Sequence, residues 1–124
     1  MVDITATIKA GLAALGKKDL ARAEALFAGV LAAHPGEANA LHFMGAVRQL
    51  EGQAGEAESY FRAAVRAAPD EAPVHNSLGN LLNQQGRTKE ALACFEAALS
   101  LAPGLQAAQM NAAIMQQKLG QHEA

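Results

Sequence analysis

The chain matches itself when it is shifted by 34 residues. Pro35, Pro69 and Pro103 keep that spacing, and so do Phe27, Phe61 and Phe95. Ala23, Ala57 and Ala91 form a third series; Gly11, Gly45 and Gly79 form a fourth, which Ala113 continues. Looser series hold the same register: Ala10, Met44, Leu78 and Ala112; Val30, Ala64 and Ala98; Leu31, Val65 and Leu99. A period of this size restricts the fold to a stack of one repeated unit, each copy too small to bury its apolar face alone.

The spacing predicts two helices per unit. The first helices are expected at about 4–15, 38–51 and 72–85, and the second at about 19–33, 54–67 and 88–101, with a seventh at 105–119. Apolar residues recur at helical intervals, and no stretch alternates as a strand does. The breaks are GKKD (16–19), GQAG (52–55) and GRT (86–88). Gly52, Gly86 and Gly120 mark a turn, with Lys18 in the first copy. Asp19 and Thr88 are the expected N-caps, since a side-chain oxygen there accepts an otherwise orphaned backbone N–H. The joints HPGEA, APDEA and APGLQ each carry a proline that stops the second helix. Pro73 falls in a first turn, where its missing N–H costs little. Composition agrees with an all-α chain: 51% of residues are hydrophobic and only 4% aromatic, and much of that fraction is alanine, the best helix former.

Glycine inside a helix costs about 1 kcal/mol relative to alanine. Gly11, Gly45 and Gly79 nevertheless lie midway along the first helices, while Ala23, Ala57 and Ala91 open the second. The expectation is that these small residues face each other and let the two backbones approach, with Phe27, Phe61 and Phe95 filling the space behind.

These residues resemble the tetratricopeptide repeat, whose pattern is a large residue, Leu, Gly, a large residue, Ala, an aromatic, Ala and Pro over 34 positions. The third unit carries it in His75, Leu78, Gly79, Leu82, Ala91, Phe95, Ala98 and Pro103. The second has Leu41, Met44, Gly45, Arg48, Ala57, Phe61, Ala64 and Pro69, and the first Thr7, Ala10, Gly11, Ala14, Ala23, Phe27, Val30 and Pro35. The resemblance implies a right-handed superhelical solenoid of antiparallel helix pairs with about seven helices. It implies one domain over 1–124, with repeats at about 4–37, 38–71 and 72–105 and a capping helix at about 106–119. The first helix of each pair would line a concave groove that holds a peptide or helix of a partner protein. No cofactor is implied.

The register assigns the groove. Its expected lining is Ile8 and Leu12 from the first unit, Asn39, His42 and Phe43 from the second, Asn76, Ser77, Asn80 and Asn83 from the third, and Met110, Asn111 and Ile114 from the last helix. The groove is then apolar at one end and amide-rich at the other, with almost no charge, which predicts weak salt dependence of binding. Some members of the family grip a terminal carboxylate with lysines and asparagines, but Ile8, Leu12, Phe43, Pro73 and Ser77 stand at those positions here. Others, such as the repeats of O-linked N-acetylglucosamine transferase, use an asparagine ladder, onto which Asn111 falls. Asn76 and Asn80, one turn apart, could serve similarly because an amide both donates and accepts; the alternative is that Asn80 is simply common in the family and Asn76 is a solvated surface amide.

Other functions find less support. The net charge of −2 is not the footprint of a nucleic-acid binder, and the cluster Lys9, Lys17, Lys18 and Arg22 reads as a solvated helix end. His42 and His75 lack the further ligands that a metal needs. Cys94 is the single cysteine, so no internal disulfide forms. No Ser–His–Asp arrangement or phosphate loop stands out, so the chain is not read as an enzyme. The N-terminus has no basic region ahead of an apolar core and no run approaches a membrane span, which gives an expectation of a cytoplasmic protein. Two functions remain: an adaptor for a protein or peptide, or the repeat portion of a larger protein with an attached glycosyl-, sulfo- or methyltransferase domain. The second is motivated by GQHEA (120–124), which resembles the turn segments GQAGEA (52–57) and GRTKEA (86–91); Gln106, Gln109 and Gln116 would wet the end as a cap. Self-association through a patch near Ile8, Leu12 and Phe43 ranks third.

Overall fold

The computed structural model describes residues 3–123, with side chains over 3–120. Seven α-helices follow in order: α1 (Ile4–Gly16), α2 (Leu20–Ala33), α3 (Ala38–Leu50), α4 (Ala54–Ala67), α5 (Ala72–Gln84), α6 (Thr88–Leu101) and α7 (Gln106–Glu123). No strand occurs among the described residues, and no described helix is long and apolar enough to cross a membrane. The chain divides into two compact units, Met1–Ala68 and Pro69–Ala124. In the first, α1 packs on α2, α2 on α3, and α3 on α4; in the second, α6 packs on both α5 and α7.

The predicted turns form where the backbone allows them. Gly52 and Gly86 adopt φ of 78° and 77°, and Lys18 holds φ 60° at the matching place. The next residue donates back into the preceding helix each time: Asp19 N to Ala14 O at 2.9 Å, Gln53 N to Arg48 O at 2.8 Å, and Arg87 N to Leu82 O at 2.9 Å. This is the helix ending that a left-handed residue permits. Asp19 caps α2 as expected, accepting from Arg22 N at 3.2 Å. Thr88 does not cap α6. The cap is Arg87, whose carbonyl accepts from Ala91 N at 2.9 Å, and Thr88 is already helical; the 34-residue register from Asp19 leads to 87, not 88. Gly120 does not turn either, because α7 runs unbroken through it. Glycine permits a turn without imposing one.

The helical glycines have a sharper cause than facing alanines. A Cβ built on Gly11 would sit 2.5 Å from Cε1 of Phe27, one on Gly45 2.6 Å from Cδ1 of Phe61, and one on Gly79 2.5 Å from Cε1 of Phe95. Each phenylalanine ring lies against its glycine, and all three rings are fully buried. The ring, not the alanine, occupies the space that a side chain would take. In the first unit Phe27 shares a core with Ile8, Ala14, Ala23, Val30, Ala40, Met44 and Val47.

Arg48 stands where the 34-residue register places buried Ala14 and Leu82 in the neighbouring copies. Its side chain, 17% exposed, meets Glu24 of α2 at 2.8 Å, Glu51 at 2.7 Å and Glu56 of α4 at 3.1 Å through the guanidinium. A cation at an otherwise apolar site is tolerated because three carboxylates surround it. Two proline carbonyls at unit joints are also tied down in register. His75 Nε2 donates to Pro69 O at 2.8 Å, and Gln109 Nε2 donates to Pro103 O at 2.6 Å.

Candidate functional site

Of the residues expected to line the groove, five belong to the first unit and seven to the second. In the first unit, Ile8 is not a surface residue. It is 8% exposed and part of the core around Phe27. Leu12 is 38% exposed and Asn39 is exposed. His42 and Phe43 are half-buried, their rings stacked at 4.8 Å. Phe43 leans on Phe27 at 5.7 Å, and His42 meets the edge of Phe61 at 5.8 Å. These two residues therefore extend the core outward and present only one side.

Burial lowers the His42 pKa below its ordinary value of 6.5. The neutral ring is the form that the folded state prefers. Stability from this site is complete above about pH 6.5 and is lost as the pH falls through the lowered folded value, by at most about 1.4 kcal/mol per pH unit. Replacing His42 with glutamine should remove that part of the dependence, which denaturation at pH 5 and pH 7.5 will measure.

The second unit brings its polar residues together. Nδ2 of Asn111, on α7, donates to Oδ1 of Asn76 at 3.2 Å and to Oδ1 of Asn80 at 3.1 Å, both on α5. Further along the same two helices, Lys118 Nζ donates to Oδ1 of Asn83 at 3.0 Å. The three amides are half-buried. Their remaining groups, Oδ1 of Asn111 and Nδ2 of Asn76 and Asn80, point to no partner among the described residues. Beside them on α7, Met110 is 67% exposed and Ile114 is 40% exposed. Ser77 is half-buried on α5.

Lys118 was not expected at this site, since the register assignment did not include it. Its signal was its place seven residues after Asn111, two turns along the same face. The Arg48 cluster was missed because a charge at a core position of a repeat has no local signature. His75, once paired with His42 as a weak metal candidate, spends its Nε2 on Pro69. Among the described residues no group of three His, Cys, Asp or Glu could hold a metal ion. Two shallow clefts also open in the first unit. One, of about 540 Å³, is lined by Leu41, Arg48, Glu56, Ser59, Tyr60 and Ala63. The other, of about 280 Å³, lies by Ala14, Lys17, Asp19 and Arg22. In the larger, the charged groups are already spent on each other.

Comparison with known proteins follows the same lines. Two family models, both described as tetratricopeptide repeat, match residues 72–105 and 14–81. No curated protein sequence matches significantly. Among solved structures, the chain is 30% identical to a Thermobaculum terrenum O-GlcNAc transferase mutant, with a TM-score of 0.81 over 93% of this chain and 23% of that one. It thus spans less than a quarter of the transferase. The Sgt2 TPR domain from Aspergillus fumigatus superposes with a TM-score of 0.90 at 18% identity, over 99% of this chain and 83% of that one. The first TPR of Spaghetti (RPAP3), bound to the HSP90 peptide SRMEEVD, gives 0.87 at 16% identity, over 94% and 93%. The last two likenesses concern the fold alone. With more than half of its residues inside one repeat-family model, the chain belongs to the tetratricopeptide repeat family.

Proposed function

We propose that the chain is a non-catalytic protein-interaction module and that the amide face of α5 and α7 takes an extended segment of a partner. The observation that carries this is the bonding of Asn111 to both Asn76 and Asn80. It fixes three amides in one place and leaves Nδ2 of Asn76 and Asn80 as donors and Oδ1 of Asn111 as an acceptor. Four residues of α-helix rise about 6 Å, and two residues of extended chain advance about 6.6 Å. Asn76 and Asn80 can therefore donate to successive carbonyls on one edge of an extended peptide, while Asn111 accepts the N–H between them. Main-chain recognition of this kind supplies affinity, and neighbouring side-chain contacts supply selectivity. That a structural relative is bound to a peptide supports the class of ligand.

The test is selection from a displayed random heptapeptide library. The wild type should enrich peptides. Asn76→Ala with Asn80→Ala, which touches no buried residue, should bind the enriched peptides about tenfold or more weakly through loss of two hydrogen bonds. Equal binding by both proteins refutes the site.

A second reading, that the repeats recruit substrate for a transferase domain in a larger protein, is favoured by the 30% identity to the Thermobaculum terrenum enzyme. It uses the same face and is separated from the first only by what lies beyond this sequence.

A further inference from the structure

We infer that the segment taken by this face is acidic as well as apolar: a Glu or Asp side chain of the partner seats on Lys118, and an aliphatic side chain of the same segment packs on Ile114 and Met110. The inference rests on the peptide reading above and adds the identity of the side chains.

The charge distribution carries it. Helix α5 contains no Lys, Arg, Asp or Glu, and Lys118 is the sole such residue among the described side chains of α7. Its ammonium is held by the neutral amide of Asn83 at 3.0 Å, and among the described residues no carboxylate pairs with it. Asn83 positions the cation without neutralising it. An exposed, oriented cation on a face with no other charge among its described side chains selects an anion, because a hydrogen bond to a charged group contributes more than one between neutral groups.

The spacing gives a register. Ile114 lies three residues after Asn111 and four before Lys118, and Met110 lies four before Ile114, so all four share one side of α7. Asn111 and Lys118 are two helical turns apart, about 10.5 Å, which an extended peptide covers in about three residues. The carboxylate should therefore stand about three residues from the peptide unit held by the asparagines. The aliphatic residue should lie between them, over the two exposed apolar side chains of α7.

The experiment extends the library selection. Heptapeptides joined to the display protein through their C-termini offer only side-chain carboxylates. Wild-type protein should enrich Glu or Asp with an aliphatic residue on one side of it. Lys118→Gln, at an exposed site, should lose the acidic preference and bind the selected acidic peptide about tenfold more weakly. It should bind the Glu→Gln peptide as the wild type does. Raising salt should narrow the gap between the two proteins. Peptides without acidic bias that are insensitive to Lys118→Gln yet lost on Asn76→Ala with Asn80→Ala would overturn the inference and leave the peptide reading standing. Failure to enrich any peptide would overturn both. So would a dimer in light scattering that Ile114→Lys dissociates, which would place a second copy on this face.

Discussion

Phe95→Ala will lower the stability of the protein by about 3–5 kcal/mol, the usual cost of truncating a fully buried phenylalanine. The ring is fully buried, and one side of it lies against Gly79. Nothing on that side can move into the hole, since glycine has no side chain to reorient and the helix backbone is rigid. The cavity therefore persists, and the loss falls toward the upper part of the range. A loss of this size is a large share of the 5–15 kcal/mol or so that typical domains possess. Denaturant titration will measure it, and amide exchange should show α5 and α6 opening together. Phe27 and Phe61, seated on Gly11 and Gly45 in the same way, should behave alike. A loss below about 1 kcal/mol would mean that the ring is not the element joining the helix pair.

Gly79→Ala tests the other side of the same contact, and its sign should reverse with the background. Helix propensity alone predicts a gain of about 1 kcal/mol. Against it stands a Cβ 2.5 Å from Cε1, 2.8 Å from Cδ1 and 2.9 Å from Cζ of Phe95. Overpacking of a filled core costs about 1–3 kcal/mol, and a ring confined between two helices cannot swing away as a flexible chain end can. The substitution should therefore destabilise the wild type. With Phe95→Ala already present, the clash is gone and the propensity gain remains, so Gly79→Ala should then stabilise. The coupling energy from this double-mutant cycle should exceed about 1 kcal/mol. Additive behaviour would show that glycine is merely tolerated there.

The repeat made most of the fold legible. A 34-residue register in Gly, Ala, Phe and Pro locates every helix to within a few residues, because those four types mark a close contact, its partners and a stop. The Asp19 cap was legible because aspartate is a strong local signal, whereas the Arg87 cap was hidden beside Thr88, a residue of better capping chemistry. Gly120 misled because glycine permits a turn without imposing one, and residue type does not report which of the two occurs. Ile8 sits at a groove-facing register position, yet the core around Phe27 takes it in; burial is settled by neighbours on other helices. The asparagines of α5 could be assigned to one face, but their bonds to Asn111 span 35 and 31 residues of sequence. Lys118 and Arg48 were illegible for the same reason, since Asn83 in the one case and Glu24 and Glu56 in the other lie on other helices.

The most direct test of the α5/α7 face is a nitrogen-15 correlation spectrum of the side-chain amides, recorded while an enriched heptapeptide is added. The account predicts that the NH2 signals of Asn76, Asn80 and Asn111 move together and saturate with one affinity, along with backbone signals of Met110 and Ile114. Movement confined to other residues, with those three amides unchanged at saturation, would contradict it.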